Sequence, residues 1–376
     1  MDRVSLRGMG VDALIGRNRR VLAAPHGRVA RLHNETPRMP IPVKLPRSVT
    51  TMTPQRVSFA GGGTDLPGVF RLHGGAVISA TIDKYIYVTV KRHSPLFNET
   101  YRLSYSTTEH VQSLDAIEND VARECLRLVH VEPPLFVATA ADVPASSGLG
   151  SSSSFAVGLL YALHAMRGED VSAGQLAEEA CHVEIDVLKR PIGKQDQYAA
   201  AFGGLNFITF QRDGRVQLEH IWLANDGAEA LFRNTMLFWT GMQREAGAVL
   251  EEQRSRIPQT SETLIKMRDQ AVECRDLLQQ FPGDLGRLGS LIDAAWHAKR
   301  SLASKISSLE LDVCYERALS AGALGGKIVG AGGGGFLLLV VPPERHGAVR
   351  AALSELVDVA VSYEPRGARI LSVVPE

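Results

Sequence analysis

Short apolar runs rich in Val, Ile and Tyr alternate along the chain with segments whose apolar residues recur every three or four positions. The runs are typical of β-strands, and the wider spacing is typical of α-helices that bury one face. Strands are predicted at residues 56–60, 76–82, 85–91, 135–141, 203–211, 216–221, 235–239, 327–329, 335–341 and 369–374. Helices are predicted at residues 151–166, 172–188 and 343–356, and in a long stretch at 244–319 with breaks near Pro258 and at 281–283. Because both element types occur in both halves, the sequence predicts an α+β protein.

Residues 1–51 have a different composition from the rest of the chain. They hold nine Arg and one Lys against three acidic residues, and four Pro fall between positions 37 and 46. Such a segment buries too little apolar surface to offset the entropy of ordering it. We expect a disordered basic arm, or an in-frame extension ahead of Met52, and two domains at residues 52–212 and 213–376. An arm that binds nucleic acid is the alternative.

Charge and hydropathy exclude several classes of protein. The 376 residues hold 41 basic and 41 acidic side chains, so the chain beyond the basic arm is mildly acidic and has no electrostatic footprint for nucleic acid. The longest apolar runs are far shorter than the ~20 residues that span a bilayer. The four cysteines lie far apart without a CxxC pattern, which is typical of reduced cysteines in the cytoplasm.

A glycine- and serine-rich stretch, PASSGLGSSSS at residues 144–154, lies between a predicted strand and a predicted helix. Composition alone fits a flexible linker, but a strand–loop–helix unit presents free backbone N–H groups and the positive end of a helix dipole to an anion. The stretch matches neither GxxxxGK[ST] nor GxGxxG. We expect it to bind phosphate through Pro144, Ser147, Gly148, Leu149, Gly150, Ser151, Ser152 and Ser153.

Two further segments are rich in glycine. KIVGAGGGGF at residues 327–336 satisfies GxGxxG, but it leads into a predicted strand rather than a helix, so we expect a tight turn against another backbone and no dinucleotide site. RVSFAGGGTDLP at residues 56–67 ends a strand in three glycines followed by Thr64 and Asp65. That pattern places an acid beside open backbone, although ordinary turn chemistry accounts for it equally well.

Together and in this order, the three segments resemble the GHMP kinase superfamily of small-molecule kinases. Residues 144–152 match its Pro-x-x-x-Gly-Leu-Gly-Ser-Ser motif, and the resemblance extends over residues 54–376. Residues 56–67, 74–88 and 193–204 resemble the heptose 7-phosphate kinase branch. Galactokinase-like members carry Gly-Glu-His-Thr-Asp, so Gly62 and Gly63 depart from galactose recognition. The resemblance implies a two-domain α+β fold in which ATP and a sugar meet in the cleft between the domains.

The resemblance also implies roles for individual side chains. Asp196 falls on the catalytic aspartate and would accept the proton of the acceptor hydroxyl, although a loop aspartate can simply cap backbone amides. Arg56 would stabilise the acceptor or the transferred phosphoryl group, and Glu184 with Ser152 would bind Mg²⁺. Substrate binding is expected from Asp65, Gly62, Gly63, Thr64, Lys84 and Lys194, with the two lysines taking the substrate's own phosphate.

The implied activity is that of an ATP-dependent sugar kinase that acts on a small-molecule sugar phosphate. The expected acceptor is the anomeric hydroxyl of D-glycero-D-manno-heptose 7-phosphate, and the product is the 1,7-bisphosphate. Another sugar 1-kinase, for example one acting on a fucose-like sugar, is the near alternative, and a catalytically inactive sugar- or nucleotide-binding protein is the alternative from another class. We expect a cytoplasmic monomer or homodimer.

Overall fold

Two β-sheets carry the fold in the computed structural model of this protein, which describes residues 45–94, 96–224, 226–242 and 246–376. Within these ranges the first sheet contains β1 (Pro46–Ala60), β2 (Gly75–Arg92), β3 (Tyr101–Ser104), β4 (Thr108–Val111), β5 (Leu135–Ala141), β6 (Leu205–Phe210), β7 (Val216–His220) and β12 (Arg369–Pro375). The second sheet, over the same residues, contains β8 (Thr235–Trp239), β9 (Gly325–Ile328), β10 (Phe336–Val340) and β11 (Val357–Asp358).

The helices cover the outer faces of the sheets and fill the space between them. They are α1 (Pro67–His73), α2 (Asp120–Leu128), α3 (Ser151–Met166), α4 (Ala173–Cys181), α5 (Gln195–Phe202), α6 (Gly227–Arg233), α7 (Ala246–Ser255), α8 (Ile257–Gln279), α9 (Leu285–Arg300), α10 (Leu309–Ser320) and α11 (His346–Ala352). A π-helical turn at His182–Val187 continues α4, and 3₁₀ turns lie at Leu114–Ala116 and Pro343–Arg345. None of the helices in the described ranges is long and apolar enough to cross a membrane.

The long strand β2 organises the first sheet. β1 pairs antiparallel with β2 over most of its length, while β6 pairs with residues 75–80 and β5 with residues 86–92. Every residue in the second half of β1 is buried, since both faces of this central strand are covered. The second sheet is antiparallel with the strand order β11-β8-β10-β9. One apolar cluster packs α2, α3 and α4 onto the first sheet, a second lies between the two sheets, and a third covers the other face of the second sheet.

The helix α3 approaches β1 closely. A Cβ atom at Gly158 would lie 2.6 Å from Thr53 Oγ1, so no side chain fits there. Thr51 Oγ1 donates to Gly158 O at 2.9 Å, and Ser154 Oγ donates to Pro54 O at 3.0 Å. These contacts fix the start of α3, and the loop that precedes it, beside the middle of β1.

The observed elements confirm the predicted α+β class and most of the predicted ranges. The helix α3 coincides with residues 151–166, and Ser172 caps α4 by accepting from Gln175 N at 3.1 Å. The long helical stretch is divided into α7, α8, α9 and α10, and residues 243–245 of it lie outside the described residues. The break at residues 301–308 was not predicted, because the segment contains neither Gly nor Pro.

Two predicted boundaries are corrected by the strand pairing. Residues 46–51, assigned to the basic arm, form the start of β1 between β2 and β12, with Val49 and Thr51 fully buried. Residues 1–44 of the predicted arm lie outside the described residues. The boundary between residues 212 and 213 falls inside the β6–β7 hairpin, and β12 returns from the C-terminus to the first sheet. Both ends of the described chain therefore complete the same sheet.

We expect a chain that begins at Met52 to be less stable than one that begins at Leu45. The shorter chain lacks Pro46–Thr51, so Val49 no longer buries its side chain and β12 loses most of its partner strand. The loss of buried apolar surface alone is worth about 2 kcal/mol. Urea unfolding of the two chains measures the difference, and equal free energies of unfolding would contradict the assignment of residues 46–51 to the fold.

Candidate active site

An ion pair between Arg56 of β1 and Asp196 of α5 lies at the centre of the site. Arg56 Nε and Nη2 donate to the two oxygens of the Asp196 carboxylate, each at 2.7 Å, and Nη1 donates to Gly148 O at 2.6 Å. Arg56 is 3% exposed, while the Asp196 side chain is 23% exposed. The planar guanidinium fixes the orientation of the carboxylate. Because a carboxylate has about four acceptor positions, Asp196 can still accept from a ligand.

The N-terminus of α3 lies beside this ion pair. Gly150 caps the helix in the left-handed conformation, with φ of 80°, and a Cβ atom there would lie 3.3 Å from Asp196 Oδ2. Ser151, Ser152 and Ser153 form the first turn. The first N–H groups of a helix have no intrahelical acceptor and carry the positive end of its dipole. The predicted phosphate loop therefore offers donors to an anion next to Asp196.

The phosphate loop at residues 144–154 and the glycine-rich loop at residues 327–336 pack backbone against backbone. A Cβ atom at Gly330 would lie 2.6 Å from Gly148 Cα, and one at Gly335 would lie 2.3 Å from Ser147 O. Gly330 and Gly335 both have positive φ, which glycine adopts without strain. The second loop connects β9 to β10 as a hairpin. This close contact matches the tight turn predicted for residues 327–336, and it joins the second sheet to the phosphate loop.

Glu184 is fully buried on the π-helical turn that continues α4. Its Oε1 accepts from Ser152 Oγ at 2.7 Å, and its Oε2 accepts from Ser153 Oγ at 2.6 Å and Gln197 Nε2 at 2.7 Å. Burial raises the pKa of Glu184, against the effect of these donors. Since π-helical turns are rare and often lie at functional sites, the turn supports a role for this carboxylate.

The oxygens of Ser152 and Glu184 fit a small, hard cation. Hydroxyl and carboxylate oxygens are ligand types that Mg²⁺ takes, and Ser152 Oγ and Glu184 Oε1 already lie 2.7 Å apart as a hydrogen-bonded pair. Arg190 reaches the same place, with Nη1 2.7 Å from Ser152 Oγ and Nη2 donating to Asp120 Oδ1 at 2.8 Å. Within the described ranges, no group of three or more His, Cys, Asp and Glu side chains is arranged so that it could hold a metal ion. A cation there would need water or phosphate oxygens as further ligands.

Asp65 connects the first glycine-rich segment to the loop before α5. Its Oδ1 accepts from Gly63 N at 2.9 Å, and its Oδ2 accepts from Gln195 N at 3.4 Å. A Cβ atom at Gly193 would lie 1.9 Å from Asp65 Oδ2, so this loop position needs glycine. Burial raises the pKa of Asp65, and the nearby Asp196 carboxylate raises it further. Asp65 thus positions the segment that carries Asp196.

Two buried lysines of the C-terminal half lie near each other, and one of them, Lys299, reaches the site. Lys299 of α9 donates to Gly330 O and is 4% exposed, and Lys327 of β9 is 3% exposed. Burial lowers the pKa of Lys299 to about 8, against the opposing charge of Asp65. Burial and the neighbouring Lys299 lower the pKa of Lys327. Buried ammonium groups shifted in this direction are stabilised when an anion binds beside them.

A cavity of about 380 Å³ connects these groups between the phosphate loop, the loop before α5, and α7 and α9. Models of the GHMP kinases N terminal domain and the GHMP kinases C terminal match residues 111–204 and 274–359. A D-glycero-alpha-D-manno-heptose 7-phosphate kinase of Campylobacter jejuni is 31% identical over 300 residues, which cover 76% of this chain and 87% of that protein. This chain belongs to the GHMP kinases. It is therefore a phosphotransferase that uses ATP and acts on a hydroxyl group.

Other similar proteins include both heptose and galactose kinases. A galactokinase of Pyrococcus furiosus is 24% identical over 323 residues, covering 76% of this GHMP kinase and 86% of that protein. The crystal structure of a D-glycero-D-manno-heptose 1-phosphate kinase from Bacteriodes thetaiotaomicron has a TM-score of 0.70 at 24% identity, covering 86% of this chain and 99% of that one. Lactococcus lactis galactokinase complexed with galactose has a TM-score of 0.67 at 18% identity, covering 86% and 95%. These two structures support the fold alone.

Most residues predicted for the site line the cavity of this GHMP kinase. They are Arg56, Gly63, Asp65, Ser147, Gly148, Gly150, Ser151, Ser152, Ser153, Glu184 and Asp196. Pro144, Leu149, Gly62 and Thr64 lie outside the lining; Leu149 is a core residue, and Thr64 Oγ1 donates to Ala76 O at 2.9 Å.

The two predicted phosphate-binding lysines also lie outside the lining. Lys84 pairs with its neighbour Asp83 at 3.1 Å, and Lys194 pairs with Glu178 at 3.3 Å. Lys194 lies two residues before Asp196 in sequence, but the two side chains have different partners: Asp196 pairs with Arg56, and Lys194 pairs with Glu178.

Several side chains of the cavity were not predicted from the sequence. Among them are four with long polar or charged side chains, Arg190, Gln195, Gln253 and Lys299. Arg190 and Gln195 lie within six residues of Asp196, so their place in the sequence could have pointed to them. The burial of Lys299 is less easily predicted. The apolar residues Trp296 and Ala295, about one helical turn away, indicate that this face of α9 is buried. The position of Gln253 in the cavity could not have been predicted, because a glutamine on a polar helix is ordinarily at the surface.

Proposed function

We propose that this GHMP kinase transfers the γ-phosphoryl group of ATP to the anomeric hydroxyl of D-glycero-D-manno-heptose 7-phosphate, and that the product is the 1,7-bisphosphate. The observation that carries the proposal is the Asp196 carboxylate, held by the fork of Arg56 beside the N-terminus of α3 and open to the cavity. Such a site brings a proton acceptor, a fixed cation and a phosphate-binding helix end within reach of one reacting centre.

The reaction needs little covalent chemistry from the protein. The acceptor oxygen attacks the γ-phosphorus while the bond to the β–γ bridging oxygen breaks, and the hydroxyl proton passes to the Asp196 carboxylate. In this proposal Arg56 stabilises the negative charge that builds on the transferred group, and the N–H groups of Ser151 to Ser153 donate to the phosphate chain. Ser152 and Glu184 are the residues that would hold Mg²⁺, which supplies neutralising charge to the phosphates when bound.

The choice of acceptor is supported by two independent features. One relative named above, the heptose 7-phosphate kinase of Campylobacter jejuni, is 31% identical to this chain. The chain also has Gly62 and Gly63 where galactokinase-like sequences carry Glu and His. A glycine at position 62 leaves open space next to the backbone and removes the negative charge of a glutamate, as an acceptor that is longer than galactose and carries a phosphate would require.

Turnover of ATP with a panel of acceptors tests this proposal. We expect D-glycero-D-manno-heptose 7-phosphate to give the highest kcat/KM. The unphosphorylated heptose, mannose 6-phosphate, fucose and galactose should give values that are lower by roughly tenfold or more. A tenfold difference corresponds to about 1.4 kcal/mol of transition-state binding. Phosphorus NMR of the product should show a second phosphate coupled to the anomeric proton. Preference for fucose or galactose would contradict the proposal, and phosphate on a carbon other than C1 would contradict the assigned hydroxyl.

Substitutions of Asp196 and Glu184 are expected to impair the kinase reaction in different ways. Asp196→Asn removes the proton acceptor and weakens the pairing with Arg56, so kcat should fall by ~10²–10⁴ at every Mg²⁺ concentration. A loose transition state places proton transfer late, which favours the lower end of that range. Glu184→Gln offers a neutral oxygen to the cation, so a higher Mg²⁺ concentration should be needed for half-maximal rate.

The measurement is a Mg²⁺ titration of both variants at saturating ATP and sugar phosphate. Circular dichroism and thermal unfolding serve as controls for folding, because Glu184 also accepts three buried hydrogen bonds. Rescue of Asp196→Asn by excess Mg²⁺, with Glu184→Gln unaffected by it, would reverse the two assigned roles.

A further inference from the structure

Polar groups surround the first glycine-rich segment beside the cavity, and several of them have no partner in the described structure. Gln195, Gln253 and Lys299 line the cavity, while Ser58 and Gly62 adjoin them without lining it. A Cβ atom built on Gly62 would lie 3.4 Å from Ser58 Oγ, 3.8 Å from Gln195 Nε2 and 3.8 Å from Lys299 Nζ. One built on Gly63 would lie 2.6 Å from Gln253 Nε2. Ser58, Gly62, Gly63, Gln195, Gln253 and Lys299 are called the Gly62 subsite below.

The Gly62 subsite is poor in internal hydrogen bonds. Both amide atoms of Gln253 are buried without a partner among the described residues, although the side chain is 1% exposed. Ser58 Oγ and Gln195 Oε1 are unpartnered in the same ranges. A buried polar group without a partner costs about 1–3 kcal/mol. Several of them around one space indicate that a polar ligand completes their hydrogen bonds.

Lys299 supplies the positive charge of this subsite. Among the described residues, the other two cations that line the cavity already have protein partners. Arg56 donates to Asp196 and Gly148. Arg190 donates to Ser152, Asp120 and Glu184. In the described structure Lys299 Nζ donates to Gly330 O, which leaves two of its three donors. Its lowered pKa reflects burial that the charge of Asp65 offsets only in part. An anion above Gly62 would relieve this imbalance.

We propose that the Gly62 subsite binds the acceptor's own phosphate group, with Lys299 as its cationic partner and Gln253, Gln195 and Ser58 as hydrogen-bonding partners. The inference rests on the proposed function, in which the acceptor is a sugar phosphate. An acceptor whose reacting hydroxyl lies at Asp196 extends past Asp65 to the bare backbone of Gly62 and Gly63. The subsite thereby selects phosphorylated sugars over free ones and replaces Lys84 and Lys194 as the phosphate site.

The sharpest test uses Gly62 itself. Its φ lies outside the left-handed region and a Cβ atom there meets nothing closer than 3.4 Å, so a side chain can be added without backbone strain. Gly62→Glu places a carboxylate beside Lys299, and Gly62→Gln adds the same bulk without the charge. For the best sugar phosphate, we expect kcat/KM of Gly62→Glu to fall roughly 10- to 100-fold below that of Gly62→Gln, the worth of a charge-assisted hydrogen bond. Equal values for the two variants would overturn the proposal.

Lys299→Met is the second variant. We expect a roughly 10- to 100-fold increase in KM for the sugar phosphate, a much smaller change in KM for ATP, and partial recovery in Lys299→Arg. The ratio of kcat/KM for the sugar phosphate to that for the free sugar should fall by a similar factor. Lys266→Met, an exposed lysine of α8, is the control for removal of a lysine. An increase in KM for ATP alone would assign Lys299 to the nucleotide and contradict the proposal.

The outcomes separate this subsite from the proposed function. If the wild-type enzyme prefers a different phosphorylated sugar, the heptose assignment fails, and the Gly62 and Lys299 variants still test the subsite with that sugar. If the wild-type enzyme prefers free sugars, the phosphate subsite fails while the kinase activity stands. If Lys84→Met or Lys194→Met reproduces the loss and Lys299→Met does not, the phosphate binds where the sequence motifs place it and the proposal is wrong.

Discussion

The paired hydrogen bonds from Arg56 to Asp196 hold the candidate active site together. The two residues are 140 positions apart in sequence, and the third donor of the guanidinium reaches Gly148 in the phosphate loop. One buried side chain thus connects β1, the loop before α3 and the start of α5. Removal of one partner from a buried ion pair leaves an uncompensated charge, at a cost of about 3–5 kcal/mol. The other elements of the site are arranged around this pair.

The absence of side chains is as important to the site as their presence. Gly148 against Gly330, and Ser147 against Gly335, bring the loops of the two sheets into contact at distances that exclude a Cβ atom. Gly193 makes room for Asp65, and Gly150 makes room for Asp196. Because the backbone N–H groups in such loops are not covered by side chains, they remain open to phosphate. The same glycines that allow the two sheets to meet therefore also leave the anion-binding surface open.

The sequence predicts those parts of the protein that local patterns specify. The helical spacing of apolar residues predicts α3, and a continuous apolar run predicts β10. The glycine-rich motifs predict the loop beside Asp196. Residues 46–51 were misassigned because their Pro and Arg content resembles that of a disordered arm, whereas pairing with β2 and β12 orders them. The return of β12 to the first sheet is a long-range pairing that no local pattern reports.

The direction of a side chain is harder to predict than its place in a motif. Lys194 lies next to Gln195 and two residues before Asp196, yet it pairs with Glu178 outside the cavity. Lys299 lies more than one hundred residues further along the chain, and the packing of α9 against β9 brings it to Gly330. A lysine is ordinarily a surface residue, so its burial depends on charges contributed by distant segments. Tertiary contacts, rather than the motif, decide which lysine faces the site.

A double-mutant cycle tests most directly whether Arg56 and Asp196 act as a single catalytic unit, as we propose. The measurement is kcat/KM for the best sugar phosphate in Arg56→Met, Asp196→Asn and the double variant, with thermal unfolding as the check on folding. Residues that act as a unit lose their joint contribution when either is removed. We therefore expect the double variant to be at most about threefold slower than the slower single variant. Losses that multiply would mean that the two residues act independently, and would contradict this account.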